Sequence, residues 1–117
     1  MINQLILVGR LVRDPELTET SNGKKVSNIT LAVNRQHKDE NGDYITDFID
    51  VALWGNLAEK THEYCEKGDV IGIKGSIGSD LDELSGGKKF NKIKVMADKI
   101  TFIATKHKDV VKDDMER

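Results

Sequence analysis

Apolar residues recur at every second position through most of this chain, and this period restricts it largely to β-structure. Five strand-like runs cover residues 2–12, 25–35, 44–54, 70–78 and 90–103. Residues typical of turns separate several of these runs, namely Asp14-Pro15-Glu16, Ser21-Asn22-Gly23, Asn41-Gly42 and Ser85-Gly86-Gly87. Short strands joined by tight turns predict an all-β domain.

One segment, residues 56–67, has the period of a helix instead. Three of its residues share a face at helical spacing: Leu57, Thr61 and Tyr64. Asn56 and Glu59 are spaced as in a capping box, and Gly68 suits the left-handed position that follows a helix. The order of three strands, one helix and two strands predicts an OB-fold, a five-stranded antiparallel Greek-key barrel with one helix between strands 3 and 4.

The first run is apolar on both of its faces. One face carries Ile2, Ile6, Val8 and Val12, and the other carries Leu5, Leu7 and Leu11. An antiparallel strand that is covered on one side only should alternate between apolar and polar residues. Either one face fills the core and the other meets a partner chain, or the strand is central to a sandwich within one chain.

The third run places aromatic residues on one side. Val51 and Leu53 belong to its apolar face, and the opposite face carries three of the six aromatic residues of the chain: Tyr44, Phe48 and Trp54. Aromatic rings exposed on a sheet form a platform on which bases stack, each stack contributing roughly 1–3 kcal/mol. The alternative is that these rings pack under the hairpin loops or against another subunit.

Charge and composition limit the classes of function that the sequence predicts. The net charge of −2, from 18 basic and 20 acidic residues, argues mildly against a nucleic-acid binder, but many lysines lie on the predicted strands or at their ends. The lone Cys65 allows no intramolecular disulfide, which is typical of the cytoplasm, and no membrane span or signal peptide is predicted. No nucleophile–base set and no metal-ligand spacing occur, so we expect no enzyme, no metal and no cofactor.

Four blocks of sequence identify a family. In order and spacing, MINQLILVGRLVRDPEL, SNITLAVNR, DFIDVALWGNLAE and EYCEKGDVIGIKGSI resemble the bacterial single-stranded DNA-binding proteins over residues 1–104. The resemblance implies an OB-fold domain, a homotetramer, and sequence-tolerant binding of single-stranded DNA in replication, recombination and repair. Residues 105–117 are predicted to be a short, charged, disordered tail.

The resemblance also implies site residues. Phe48 and Trp54 fall on positions that stack on bases, and His37 falls on a hairpin position that is often Trp or Phe. Tyr44 joins them from its place on the aromatic face. The basic residues expected to contact phosphates are Arg10, Arg35, Lys74, Lys88, Lys89, Lys92 and Lys94.

Two departures from the family pattern bear on function. The stretch from Ser79 to Glu83 (SDLDE) is acidic where the family often has basic and aromatic residues. Acids beside a phosphate path repel it, so we expect this hairpin either to bind DNA weakly or to point away from it. The end of the chain lacks the family's long linker and apolar tip, which argues against recruitment of replication and repair proteins through the tail. Two other functions remain open, an OB module for primosome assembly and an oligomerisation domain with aromatic residues in its interface.

Overall fold

Six strands and one helix follow one another in the computed structural model, which describes residues 1–104. In chain order these are β1 (Leu5–Leu11), β2 (Thr18–Glu19), β3 (Lys25–Lys38), β4 (Tyr44–Trp54), α1 (Asn56–Tyr64), β5 (Val70–Glu83) and β6 (Lys89–Ala104). Because β2 is a two-residue addition, the helix lies between the third and fourth of the five long strands, as predicted. The predicted tail, residues 105–117, lies outside the described residues.

Strand pairing closes the five long strands into a barrel. They are hydrogen-bonded in the order β1-β5-β6-β4-β3, and a short pairing between β1 and β3 joins the two ends. The predicted OB-fold is confirmed, with one difference in strand direction. β4 and β6 are parallel where Val51 faces Val95, so the barrel is mixed rather than wholly antiparallel. The apolar period of a strand is the same in both directions, so the sequence could not distinguish them.

The barrel interior is filled by one face of each strand. Its fully buried side chains include Leu11, Ile29, Leu31, Val51, Leu53, Ile71 and Ile73. On β1 the leucines are the core face, since Leu5 and Leu7 pack against the buried cluster while Ile6 and Val8 are exposed. The second apolar face of β1 therefore lies on the outside of the barrel.

Gly75 lets β5 and β6 approach closely at a register shift. A Cβ atom added there would lie 2.0 Å from the carbonyl oxygen of Met96, so a larger residue would separate the strands. The register shifts between Lys74 and Gly75, because Lys74 faces Lys99 while Gly75 faces Ala97. A glycine inside a strand often marks such a close approach of two backbones.

Helix α1 packs on the barrel through Ala58 and Thr61, which are buried. Tyr64 meets Phe102 of β6 edge to face, with 6.4 Å between ring centroids. The predicted capping box is wrong, because Asn56 lies inside the helix and the N-cap is Gly55, which has no side chain to accept a hydrogen bond. The helix also ends at Tyr64, before the predicted residue 67. Gly68 has the predicted positive φ of 94°, but its amide donates to the Leu11 carbonyl and so holds β1.

Candidate nucleic-acid interface

Three aromatic rings of β4 are exposed on the outer face of the barrel. Tyr44, Phe48 and Trp54 have 53%, 68% and 48% of their surface exposed. They occupy even-numbered positions of a strand whose odd-numbered Val51 and Leu53 are buried, so alternation directs all three outward. We call these three residues the aromatic row. Their exposure contradicts the alternative in which the rings pack under the hairpin loops of the same chain.

Phe48 lies beside a small residue and near a predicted phosphate contact. Ala32 of β3 faces Phe48, and Arg10 of β1 faces Ala32 in turn, so the three share the outer face. Two strand spacings put the Cα atoms of Arg10 and Phe48 about 10 Å apart. The Arg10 guanidinium donates to the Gly68 carbonyl at 2.6 Å, which fixes the position of the charge.

The two ends of the aromatic row are flanked by lysines. At one end, the Lys38 ammonium lies 5.3 Å from the centroid of the Tyr44 ring, in a cation–π contact. At the other end, Trp54 borders a groove of about 440 Å³ whose walls include Lys24 and Lys25. The Lys25 ammonium is paired with Glu19 at 3.2 Å. These lysines were not among the predicted phosphate contacts, because nothing local in the sequence indicated that they would border aromatic rings.

Two predicted site residues, Arg35 and His37, belong to β3 near the β3–β4 turn, and Arg35 is paired away from the aromatic row. Arg35 donates to both carboxylate oxygens of Asp47, at 2.9 and 3.1 Å. Asp47 faces Val33, on the side of the strands opposite Phe48. The hydrogen bonds and charge of Arg35 lower the pKa of Asp47, and those of Asp47 raise the pKa of Arg35. His37 is exposed in an irregular stretch of β3 that ends at Lys38.

The β5–β6 hairpin pairs its acidic residues with lysines. Asp80 faces Lys92 in the strand register, and its carboxylate forms a salt bridge of 3.0 Å with the Lys94 ammonium. Glu83 likewise faces Lys89. Lys88 lies in the turn, where its carbonyl accepts from the Leu84 amide. The acids that were predicted to repel phosphate are therefore interleaved with the predicted phosphate contacts.

A groove of about 420 Å³ separates this hairpin from the outer face of β3 and β4. Its lining includes Lys92 and Lys94 on one wall and Asn28 and Ala52 on the other. A chain of hydrogen bonds borders the same groove. The Arg13 guanidinium donates to the Thr30 hydroxyl at 2.8 Å, and this hydroxyl donates to the Asp50 carboxylate at 2.6 Å. We call this space the central groove.

The three residues of this hydrogen-bond chain were not predicted as site residues. Asp50 shares the face of the aromatic row, and that much followed from strand alternation. Arg13 and Thr30 are 17 residues apart, and only the closure of β1 onto β3 brings them together. A period-two pattern carries no information about which strands will pair, so no local signal pointed to them.

Lys74 lies on a different surface. It faces Ile6 of β1 and Lys99 of β6, on the outside of the β1–β5–β6 sheet. Ile6 and Val8 are 73% and 52% exposed there, and Ile103 is also exposed. With Gly72 between them, these three apolar side chains border a shallow groove of about 340 Å³. We call Ile6, Val8, Gly72 and Ile103 the outer apolar patch.

Comparison with known proteins shows to which family this chain belongs. The pattern of the single-strand binding protein family matches residues 2–103. The chain belongs to that family. Single-stranded DNA-binding protein B of Bacillus subtilis is 39% identical over 113 residues, which are 97% of this chain and 100% of that protein. The single-stranded DNA-binding protein of Oceanobacillus iheyensis is 40% identical over 91% of this chain and 66% of its own length. Single-stranded DNA-binding protein 1 of Lactococcus lactis is 44% identical over 84% and 65%.

The family resemblance stated from the four sequence blocks is thus confirmed. Proteins of the single-strand binding family are not enzymes, in agreement with the prediction for this chain. Burial and the nearby Asp69 carboxylate raise the pKa of the Cys65 thiol to about 12. A thiol with such a pKa is almost wholly protonated at neutral pH and a poor nucleophile.

Three further findings concern the β3–β4 turn, metal ions and membranes. In the β3–β4 hairpin, the Asp39 carboxylate accepts hydrogen bonds from the amides of Asn41 and Asp43, at 2.9 and 3.0 Å, and so shapes the turn. Within residues 1–104, no group of three or more His, Cys, Asp or Glu side chains is placed to hold a metal ion. No helix in this part of the chain is long and apolar enough to cross a membrane.

Proposed function

We propose that this single-strand binding family protein binds single-stranded DNA with little sequence preference, through one OB-fold domain formed by residues 1–104. The observation that carries this proposal is the exposed aromatic row on the outer face of β4. Bases of every type have a π-face, so stacking on such rings binds single strands of any sequence. Relatives named single-stranded DNA-binding proteins support the same ligand. Roles in replication, recombination and repair follow from that ligand.

The proposed path of the strand runs along β4. Ten residue steps separate Tyr44 from Trp54, which gives the aromatic row a length of about 34 Å. Single OB-folds bind about 4–16 nucleotides, and a row of this length accommodates several. We assign base stacking to Phe48 and Trp54 first, because both rings are open to solvent at the middle and one end of the row. Tyr44, already contacted by Lys38, extends the path at the other end.

Phosphate contacts are proposed on both sides of this path. Arg10 lies on the β1 side of Phe48, while Lys92 and Lys94 lie across the central groove from β4. Lys88 and Lys89, at the end of the same hairpin, are weaker contacts because they lie farther along it. Arg35 and His37 are reached only if the strand crosses the β3–β4 hairpin. Lys74 would contact only DNA that also crosses the sheet bearing the outer apolar patch.

A titration of the only tryptophan tests the proposal directly. Stacking of a base on the exposed Trp54 should quench its fluorescence saturably when oligo(dT) is added to the full chain. The anisotropy of a labelled oligo(dT) measures the same binding without relying on the ring. An unchanged fluorescence together with an unchanged anisotropy at micromolar protein would refute single-stranded DNA binding.

We also propose that the protein is a homo-oligomer, and specifically a homotetramer as the family resemblance implies. The support is the outer apolar patch, because Ile6 and Val8 form a second apolar face on a strand whose leucines already serve the core. Contiguous exposed apolar side chains on a sheet are typical of an interface between chains. A twofold contact gives a dimer, and a tetramer needs a second contact surface. The mass in solution distinguishes the two states.

The site of action is proposed to be the cytoplasm, the compartment of bacterial-type cells in which single-stranded DNA arises. The lone Cys65 supports this, since the chain can form no disulfide of its own. Replication and repair proteins are proposed as further partners.

A further inference from the structure

An acidic side chain lies on the face that is proposed to stack bases. Asp50 is exposed on β4 between Phe48 and Trp54, two residues beyond Phe48 on the same face. Two residues along a strand correspond to about 7 Å. A side chain offset from a stacking ring by this spacing along the strand is suited to reach the edge of a stacked base rather than its face.

The carboxylate of Asp50 is held in place by its neighbours. One oxygen accepts a hydrogen bond from the Thr30 hydroxyl at 2.6 Å, and that hydroxyl accepts one from the Arg13 guanidinium at 2.8 Å. Thr30 is buried, so this support is part of the barrel rather than a surface contact. Each carboxylate oxygen offers two acceptor positions, and the Thr30 hydroxyl occupies one of the four. The side chain is thus oriented and retains capacity to accept hydrogen bonds in the central groove.

The charge of this group determines which part of a nucleotide can lie against it. The carboxylate repels a phosphate, whereas the Arg13 guanidinium and the lysines on the far wall of the groove, Lys92 and Lys94, attract one. We therefore expect the DNA backbone to lie at these cations rather than at Asp50. A base edge can approach if it carries a donor. Cytosine presents its N4 amino group where thymine and uracil present the O4 carbonyl, and Asp and Glu are the side chains that accept from cytosine N4.

From these contacts we infer that Asp50 recognises the exocyclic amino group of one base in each binding site, so that this protein prefers cytosine over thymine or uracil there. The inference rests on the proposed function and adds a base preference to it. A carbonyl oxygen placed against the carboxylate is repelled, while an amino group forms a charge-assisted hydrogen bond. One such contact in a site of several nucleotides leaves the overall binding broadly tolerant of sequence.

The test compares oligonucleotides that differ only at the base edge. Oligo(dC) and oligo(dU) of about eight nucleotides lie within the span of one OB-fold and lack the thymine methyl group. At neutral pH, the full chain should bind oligo(dC) about two- to tenfold more tightly than oligo(dU), the range expected of one net hydrogen bond. Oligonucleotides of 5-methyl-dC and dT repeat the comparison with the methyl group present in both.

Three variants locate the preference. Asp50→Asn should abolish or reverse it, because the amide can donate to O4, and Thr30→Val should weaken it by removing the hydroxyl that orients the carboxylate. Glu63→Gln is the matched control, since it removes the same charge from an exposed position on α1 and should keep the wild-type ratio. Thermal unfolding measures whether each variant is folded, and Glu63→Gln supplies the ratio expected from charge alone.

The outcomes separate this inference from the proposed function. Equal binding of oligo(dC) and oligo(dU) by the wild-type protein would overturn the inference and leave single-stranded DNA binding intact. A preference that survives in a folded Asp50→Asn variant would also overturn it, since some other group would then be responsible. Failure to bind any of the four oligonucleotides would refute the proposed function, and the inference with it.

Discussion

Replacing the most exposed ring of the aromatic row gives a quantitative test of base stacking. Phe48 is 68% exposed and faces the small Ala32, so the side chain contributes little to the barrel core. Phe48→Ala should therefore leave the thermal unfolding temperature nearly unchanged. Loss of one stacked base is expected to cost about 1–3 kcal/mol, which weakens binding of a short oligo(dT) about 5- to 150-fold.

The salt dependence of that weakening identifies its cause. Phe48→Ala removes no charge, so the slope of log Kd against log salt should match that of the wild-type protein while the whole line shifts. Anisotropy of labelled oligo(dT) at three salt concentrations measures both quantities. Phe48→Leu, which keeps apolar bulk without a π-face, should resemble Phe48→Ala. The stacking argument is refuted if a folded Phe48→Ala variant binds like the wild type, or if Phe48→Leu restores full affinity.

Three further predictions concern charge and assembly. Lys92→Gln with Lys94→Gln should lower the slope of log Kd against log salt by about 1.4, which is about 0.7 for each phosphate that a lysine no longer neutralises. An unchanged slope would show that neither lysine contacts the DNA. Asp80→Asn frees Lys94 from its salt bridge and removes a like charge, so binding should tighten about two- to fivefold at low salt and less at high salt; equal affinity at both salts would contradict this. Ile6→Lys with Val8→Lys should reduce the mass measured by light scattering if the outer apolar patch joins subunits, and a wild-type monomer would refute the assembly.

Strand alternation was sufficient to predict the aromatic row. The side chains of β4 alternate from Tyr44 to Trp54, so a strict period of two assigns each of them to a face. The same alternation indicated that β1 has two apolar faces. It could not determine which one is inside, because both are equally apolar. Only the packed barrel shows that Leu5 and Leu7 belong to the core and that Ile6 and Val8 lie outside.

The β5–β6 hairpin extends beyond the residues in which the apolar pattern predicted strands. The apolar pattern predicted strands that end at residue 78 and resume at residue 90, but β5 continues to Glu83 and β6 begins at Lys89. This extension projects beyond the barrel, so neither of its faces is buried in a core and its sequence shows no apolar period. Opposite charges across the register, such as Asp80 and Lys92, stabilise the pairing instead. Cross-strand charge pairs can be found in a sequence only after the register is known.

The arrangement of charges explains how a chain with a net charge of −2 can suit an anionic ligand. Acids occupy the immediate neighbourhood of several basic residues, as Glu19 does for Lys25, Asp47 for Arg35 and Asp80 for Lys94. Each of these pairs is exposed, where an ion pair contributes little and a phosphate can displace the carboxylate at small cost. A phosphate that displaces the carboxylate gains less binding free energy than one that binds an unpaired lysine, because the salt bridge must first be broken. The affinity should therefore depend more on the aromatic rings and less on counterion release than in a strongly basic protein. A shallow salt slope for the wild-type protein together with a large decrease in affinity for Phe48→Ala would show that stacking contributes more than charge. A steep slope with a small decrease would contradict this.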